Sequence, residues 1–238
     1  MRLRWTDRPF AAWLARLPSQ CAVCRAWPSQ PVCDACVARF APPTPRCATC
    51  ALAVPIGVLQ CGDCLRHPPP LDACLAACAY AWPWPECIGQ FKFRGEAGWA
   101  GPLATLMRSA PWVEPALEHC SLVLPIPLSR GRLRERGFNQ ALELARRLAP
   151  DKTEARLLLR MRETSAQSGL GRAERLRNLE GAFALEPLRA AAVRDRRIVL
   201  VDDVMTSGAS LFSAAQVLRT AGAAHITAIV LARTEPPA

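Results

Sequence analysis

The sequence predicts an α/β protein with a parallel sheet, preceded by a small cysteine-rich module. From residue 71 onward, strand-like apolar runs alternate with helix-like stretches, a pattern typical of parallel sheets. Before residue 68, eight cysteines form four CxxC pairs. The chain's 238 residues are enough for one ordinary domain and a smaller one. We therefore expect a cysteine-rich module at 1–68 and a main domain at 69–238.

The elements of the main domain follow from local apolar patterns. Apolar residues at helical spacing predict helices, and short compact apolar runs predict strands. The continuous run at 197–202 is expected to be a central parallel strand, and the polar, Arg-rich stretch 161–180 a mobile loop. The predicted strands are 71–80, 121–126, 155–160, 181–185, 197–202 and 224–231, and the predicted helices are 85–93, 98–110, 138–148 and 209–221.

The four CxxC pairs predict two structural metal sites. Each CxxC turn presents two thiolates, and two turns complete a tetrahedral site. Units this short cannot fold by burial alone, whereas a structural zinc contributes on the order of 10–16 kcal/mol. Redox dithiols are the alternative, and the spacing leaves open whether the pairs bind sequentially or interleave. The expected zinc ligands are Cys21, Cys24, Cys33, Cys36, Cys47, Cys50, Cys61 and Cys64.

The remaining cysteines and the N-terminal residues indicate the cellular compartment in which the protein is expected. Cys74, Cys78, Cys87 and Cys120 lack paired spacing and have apolar neighbours, so we expect buried structural thiols. Residues 1–19 predict a short amphipathic helix rather than a secretion signal. No apolar run approaches the ~20 residues of a membrane span. A cytoplasmic protein is therefore expected, which favours metal over disulfides.

The net charge of +10 is unevenly distributed. Residues 121–197 contain sixteen Arg and one Lys against nine acidic residues. Polyanions are natural partners for such a region, although a solvated Arg-rich surface is an equally good interpretation of any single arginine.

The most informative segment is 198–210, IVLVDDVMTSGAS. An apolar strand brings Asp202 and Asp203 to its C-terminal end, where ligands bind in parallel sheets. The helix that follows offers free amides and a positive dipole to a phosphate, and Gly208 permits close approach. No GxxxxGK[ST] or GxGxxG motif is present, which argues against a P-loop ATPase and a dinucleotide-binding fold. The loop is therefore expected to hold a monophosphate beside a sugar diol.

These residues resemble the signature of type I phosphoribosyltransferases, which bind 5-phosphoribosyl-1-diphosphate (PRPP). Together with the CxxC pairs, FKFRG at 91–95, PIPLSRGRLRERGFNQ at 125–140 and the spaced residues of 162–183, the sequence resembles the ComF/GntX family of competence-associated proteins. The resemblance implies a type I phosphoribosyltransferase fold behind a double zinc ribbon. It covers nearly the whole chain.

The resemblance also implies residue roles. Asp202, Asp203 and Arg136 would be catalytic, and residues 136–139 would form the pyrophosphate loop, after a strand and before a helix. Segment 161–180 would be a lid, on which Arg172 could also close on pyrophosphate. Lys92 and Arg94 could reach the same region. The residues implied to bind PRPP are Asp202, Asp203, Val204, Met205, Thr206, Ser207, Gly208, Ala209, Ser210, Arg136, Gly137, Phe138, Arg162 and Arg175.

The predicted function is a PRPP-binding phosphoribosyltransferase-family protein that supports DNA uptake, with structural Zn²⁺ and with Mg²⁺ accompanying PRPP. The acceptor is open, since no side chain is an obvious general base. A non-catalytic PRPP sensor and a single-stranded-DNA-binding competence protein that contacts the uptake machinery are the alternatives. Stacking aromatic residues are sparse in 121–197, which counts against DNA binding by that region.

Overall fold

The computed structural model describes residues 19–93, 97–162 and 181–235. Four parallel strands form its central sheet in the order β1, β6, β5, β2. A short antiparallel pair, β3 and β4, forms a second sheet. The predicted α/β fold with a parallel sheet is confirmed. The strands are β1 (Ala73–Ala79), β2 (Leu122–Pro125), β3 (Leu158–Arg160), β4 (Phe183–Leu185), β5 (Arg197–Met205) and β6 (His225–Arg233).

The described residues contain eight α-helices. Two of the helices in the main domain were not predicted. The unpredicted α5 is only seven residues long and has Pro115 in its first turn, and the unpredicted α6 has no buried residue and therefore no apolar stripe. Two 3₁₀ turns cover Ala97–Trp99 and Pro187–Val193. The helices are α1 (Asp34–Phe40), α2 (Gly62–Arg66), α3 (Trp84–Phe93), α4 (Ala100–Ser109), α5 (Val113–His119), α6 (Arg130–Arg136), α7 (Gln140–Leu148) and α8 (Ala209–Thr220).

Both faces of the central sheet are covered, as an all-parallel sheet requires. Successive residues of β5 point to opposite faces. Val199 and Val201 pack in the core formed with α3, α4, α5 and α7. Ile198 and Leu200 pack in the core formed with α8 and the β3–β4 pair. The continuous apolar pattern of β5 is explained by this double burial.

The cysteine pairs take part in these two cores rather than standing apart from them. Cys21 and Cys36 belong to the core on the α3 face, and Cys47 and Cys64 belong to the core on the α8 face. The four unpaired cysteines are buried, as predicted. The division of the chain at residue 68 stays a prediction, and the predicted N-terminal helix lies outside the described residues.

Strand β5 is longer than the sequence indicated. The prediction ended it at residue 202, but pairing with β6 continues to Met205, opposite Arg233. Asp202 and Asp203 therefore lie within the strand, three and two residues before its end. None of the described helices is both long and apolar enough to cross a bilayer.

Candidate functional site

A polar cavity of about 350 Å³ opens at the C-terminal ends of the parallel strands. This edge of a parallel sheet is where ligands bind. The cavity combines acidic residues from β5 with basic residues from three other elements. Its charged and polar lining comprises Tyr80, Lys92, Arg132, Arg136, Asn139, Gln140, Arg160, Asp202, Asp203, Thr206 and Ser210.

At the junction of β5 and α8, Thr206 and Ser210 line this cavity, and Ser207, Gly208 and Ala209 line a small adjoining hollow of about 30 Å³. Gly208 caps α8 with φ +80°, and a Cβ at this position would lie 2.6 Å from the side chains of Met205 and Phe212. Only glycine fits this conformation without strain. Among the described residues, no protein acceptor is found for the backbone amides of Thr206, Ser207 and Gly208. The loop therefore offers a row of free N–H donors at a helix start, as a phosphate site needs.

The two acidic residues have different surroundings. Asp203 is 7% exposed, and its Oδ1 lies 2.9 Å from Nζ of Lys92 on α3. Asp202 accepts a hydrogen bond from the backbone amide of Asp203 at 2.9 Å. Desolvation, helped by the charge of Asp203, raises the pKa of Asp202 to about 7. One carboxylate is thus held by a lysine, while the other changes its charge near neutral pH.

Two donors on the opposite wall lack protein partners. Arg136 and Gln140 line the cavity, and Nη1 of Arg136 donates to Oε1 of Gln140 at 3.1 Å. In the described part of the chain, the buried Nε of Arg136 and Nε2 of Gln140 have no acceptor. Burial lowers the pKa of the Arg136 guanidinium, and the nearby Asp203 opposes that shift. Unpaired buried donors are costly unless a ligand satisfies them, so an anion fits here.

The segment predicted as a pyrophosphate loop has a different setting from the one expected. Helix α6 lies between β2 and this segment, so it follows a helix rather than a strand. Gly137 ends α6 at φ +77°, and the Asn139 side chain caps α7 by accepting from the amide of Leu142 at 3.3 Å. The ring of Phe138 packs against Phe91, with ring centroids 5.5 Å apart. Any contact of Phe138 with a ligand would therefore come from its backbone.

Of the arginines predicted to close on pyrophosphate from the lid, Arg162 is the one within the described residues. Arg162 is exposed, and its carbonyl accepts from Nε of Arg160 at 3.3 Å. Arg172 and Arg175 lie outside the described residues, as does Arg94. Arg160 lines the cavity although it was not predicted to.

Several lining residues were missed by sequence reasoning. Tyr80 follows β1, and Arg132 lies in the unpredicted α6. Gln140 begins α7. The signal for these residues is their position just after a strand or beside a helix start, at the same edge of the sheet as Asp202. Knowing the strand order would have been necessary to use that signal.

The cysteines form two separate sets of four, which answers the open question of pairing. The first set is Cys21, Cys24, Cys33 and Cys36, and the second set is Cys47, Cys50, Cys61 and Cys64. Three sulfur–sulfur distances within the sets are 3.9, 3.6 and 3.6 Å. A tetrahedral zinc site with bonds of about 2.3 Å requires sulfurs about 3.8 Å apart. Each set could therefore hold a structural metal ion, with pairs used sequentially.

Each set contains one thiol with a lowered pKa. Burial opposes ionisation of Cys21, but hydrogen bonds from the backbone of Cys24 and Cys33 outweigh it and lower the pKa of this thiol to about 6. In the second set, the same balance lowers the pKa of Cys47 to about 7. Backbone amides that stabilise a thiolate are a common feature of metal-binding turns, because metals bind the ionised form.

The fold and this edge of the sheet define a protein with a phosphoribosyltransferase domain. The family model described as "Phosphoribosyl transferase domain" matches residues 135–236. The match contains all of α7, α8 and β3 to β6, and with them the loop at 206–208.

Relatives extend the similarity to the cysteine sets. The "DNA utilization protein YhgH" of Escherichia coli (strain K12) is 32% identical over 234 residues, covering 95% of this chain and 98% of that protein. The "Competence protein F" of Haemophilus influenzae is 31% identical over 73% of this chain and 78% of its own length. The "Competence protein ComFC" of Bacillus subtilis is 36% identical over 63% of this chain and 59% of its own length. The chain belongs to the ComF/YhgH family, so the resemblance stated from the sequence is confirmed.

Proposed function

We propose that this protein binds PRPP, together with its Mg²⁺ ion, in the cavity at the C-terminal edge of the sheet, and transfers the phosphoribosyl group. The amides of Thr206, Ser207 and Gly208 receive the 5-phosphate. Asp202 and Asp203 accept hydrogen bonds from the ribose hydroxyls. Arg136 and Gln140 receive the diphosphate. The observation that carries this proposal is the meeting of unpaired anion donors and a diacid around one cavity of suitable size.

The chemistry is displacement of pyrophosphate at the anomeric carbon. The bond from C1 of ribose to the diphosphate oxygen breaks, and pyrophosphate leaves with the electron pair. A bond from the acceptor nucleophile to C1 forms. Positive charge develops on the ring, and negative charge grows on the leaving group, where Arg136 and Lys92 stabilise it. A Mg²⁺ ion bound with PRPP would supply further positive charge to the leaving group. The diacid holds the sugar in place for the displacement.

Release of pyrophosphate across a panel of acceptors tests the transfer. We expect PRPP-dependent release with at least one acceptor, and a loss of about 100-fold in Arg136→Met, because the buried guanidinium neutralises the leaving group. The matched control is Arg146→Met, an exposed arginine of α7 that pairs with Glu143. Binding of PRPP without release by any acceptor would instead support the sensor alternative.

A second candidate function is binding of single-stranded DNA beside this cavity. The structure brings exposed aromatic residues from outside 121–197 to the basic residues of α6. Phe93 is 65% exposed, and its ring lies 5.0 Å below the guanidinium carbon of Arg136. Tyr80, which is also exposed, lines the cavity together with Arg132 and Arg136. Aromatic rings beside arginines are suited to stack bases while neutralising phosphates.

Titration of a fluorescent oligothymidylate at several salt concentrations tests this candidate. We expect affinity to fall steeply with salt and Phe93→Ala to weaken binding about tenfold, as loss of one stacked base implies. Leu188→Ala, at another exposed apolar residue, is the control. A flat salt response would remove this candidate.

The proposal includes two zinc ions, one in each cysteine set, and a cytoplasmic location that keeps the thiols reduced. The family relationship supports a role in DNA utilisation or competence, the activities that name its relatives. Metal analysis should find about two zinc ions per chain.

A further inference from the structure

The buried side chain of Arg233 lies between the second cysteine set and the loop that follows β5. Arg233 ends β6 and is 5% exposed. Its Nε donates to the carbonyl oxygen of Cys50 at 2.9 Å. Its Nη1 donates to the carbonyl oxygens of Met205 at 3.1 Å and Thr206 at 2.6 Å. One guanidinium therefore joins the second cysteine set to the first residues of the loop.

These hydrogen bonds help to orient the loop amides, together with one from the amide of Thr234 to the Met205 carbonyl at 3.1 Å. In a planar trans peptide, the carbonyl of one residue and the N–H of the next point in opposite directions. Arg233 holds the carbonyls of Met205 and Thr206 towards itself, so the amides of Thr206 and Ser207 face away from it. Thr206 lines the cavity, and Ser207 lines a small hollow at the same loop. Arg233 thus supports these two amides from the side opposite to the one that an anion would approach.

Contacts of Cys74 also connect the second cysteine set to the loop after β5. The Sγ atom of Cys74 lies 3.5 Å from Sδ of Met205, and the Met205 side chain lies directly beneath Gly208. The amide of Cys74 donates to the carbonyl of Ala48, within the first CxxC turn of the second set, at 2.7 Å. The cysteine set and the loop therefore share one tightly packed support.

We propose that Arg233 is a positioning residue that couples metal binding by the second cysteine set to the 5-phosphate subsite. A metal ion held by this set fixes the Cys50 carbonyl, and Arg233 carries that constraint to the peptides before Thr206 and Ser207. This inference rests on the proposed PRPP site and adds that the state of the second set determines phosphate affinity. Because coupling between two binding sites is reciprocal, a bound phosphate also raises the metal affinity of that set.

A double-mutant cycle tests the coupling, with PRPP–Mg²⁺ and ribose 5-phosphate as probes in calorimetry. Arg233→Met should weaken both ligands about tenfold, since charged hydrogen bonds to two peptides are lost. Cys61→Ser should weaken both ligands in the wild-type background but add less than twofold in the Arg233→Met background. Arg46→Met is the matched control, because Arg46 donates to the carbonyl of Ala51 at 3.0 Å and reaches no residue of 205–208. It should change either affinity less than twofold.

Zinc affinity, measured by equilibrium competition with a chelator, gives an independent measurement if Arg233→Met does not fold. A Cys24→Ser chain leaves only the second set intact, and ribose 5-phosphate should raise its zinc affinity about tenfold. Arg233→Lys keeps the charge but cannot donate to both sides at once, so it should abolish most of that increase.

The outcomes separate the coupling from the binding site. Unchanged ligand affinity in Arg233→Met, additive effects in the cycle, or a zinc affinity that does not change with ribose 5-phosphate would each overturn the coupling. A wild-type chain that binds neither PRPP nor ribose 5-phosphate would overturn the proposed function itself.

Discussion

The two cysteine sets share a sequence pattern but occupy different surroundings. In the first set, Cys24 is exposed and Cys33 is half-buried, on the face of the sheet covered by α3 and α4. All four cysteines of the second set are buried, in the same core as Met205 and Ala209 at the edge of the loop after β5. Equal motifs therefore need not have equal roles. In our proposal the second set supports the site, whereas the first set, which is only partly buried, anchors its own segment to the core on the α3 face.

Removing one thiol from each set is the change with the largest expected effect. Cys64→Ser should lower the free energy of unfolding by about 4 kcal/mol or more, because it disrupts a metal site inside the main core. That corresponds to a fall of about 10 °C or more in Tm. Cys24→Ser should cost about 1–2 kcal/mol, since its surroundings are exposed. Thermal unfolding with zinc analysis measures both, and equal losses would contradict the comparison.

Filling the space above Met205 tests the loop that the second set supports. Gly208→Ala should weaken PRPP binding about tenfold and cost about 1–3 kcal/mol, because φ is +80° and the new methyl group meets Met205 and Phe212. Gly101→Ala is the matched control within α4, where a Cβ meets no atom within 4 Å. It should leave binding unchanged. Normal PRPP affinity in Gly208→Ala would show that the loop does not touch the ligand.

The smallest expected effect is a dependence on pH. The pKa of Asp202, raised to about 7, leaves this carboxyl largely neutral at pH 6 and ionised at pH 8. Affinity for PRPP should rise several-fold over that range in the wild type, because the ionised form accepts the ribose hydroxyls better. Asp202→Asn should flatten the rise. Any titration of PRPP itself affects both proteins equally, so the difference between them reports on Asp202. Parallel pH profiles in calorimetry would contradict this role.

The same shift has the opposite sign for stability. The folded-state pKa of Asp202 lies above the ordinary value of about 3.9, so its stabilising contribution is present at low pH and is lost as the pH rises towards 7. Asp202→Asn should therefore raise Tm at pH 8. A lower Tm at that pH would show that the ionised carboxylate is stabilising.

The sequence predicted the parts of the fold that depend on local pattern. Three local patterns were sufficient to predict their elements, and the structure contains all three. They are the apolar run of β5, the apolar stripe of α7 and the small-residue loop before α8. Helix α6 was missed because Leu133 is its one large apolar residue and is 44% exposed. Its four arginines gave no periodic signal.

The candidate site was predictable only in the segments that carry a motif. Asp202, Asp203 and Arg136 come together as expected, since the strand-end rule and the family resemblance both point to them. The roles of Tyr80 and Gln140 depend on which strands are neighbours, and spacing along the chain does not determine that. The contact of Arg233 with Cys50 joins residues 183 positions apart, so it follows from the packing of β6 alone.

The most direct test of the proposed PRPP site is a calorimetric titration of PRPP with Mg²⁺. It compares the wild-type chain with the Asp202→Asn/Asp203→Asn double variant, which lacks the acid pair that is proposed to hold the ribose. We predict binding by the wild type with a Kd in the range of about 1 μM to 1 mM. The double variant should bind at least about 30-fold more weakly while remaining folded, because loss of two acceptors removes the hold on the ribose. Equal affinity in a folded double variant, or no binding by the wild type, would contradict the account.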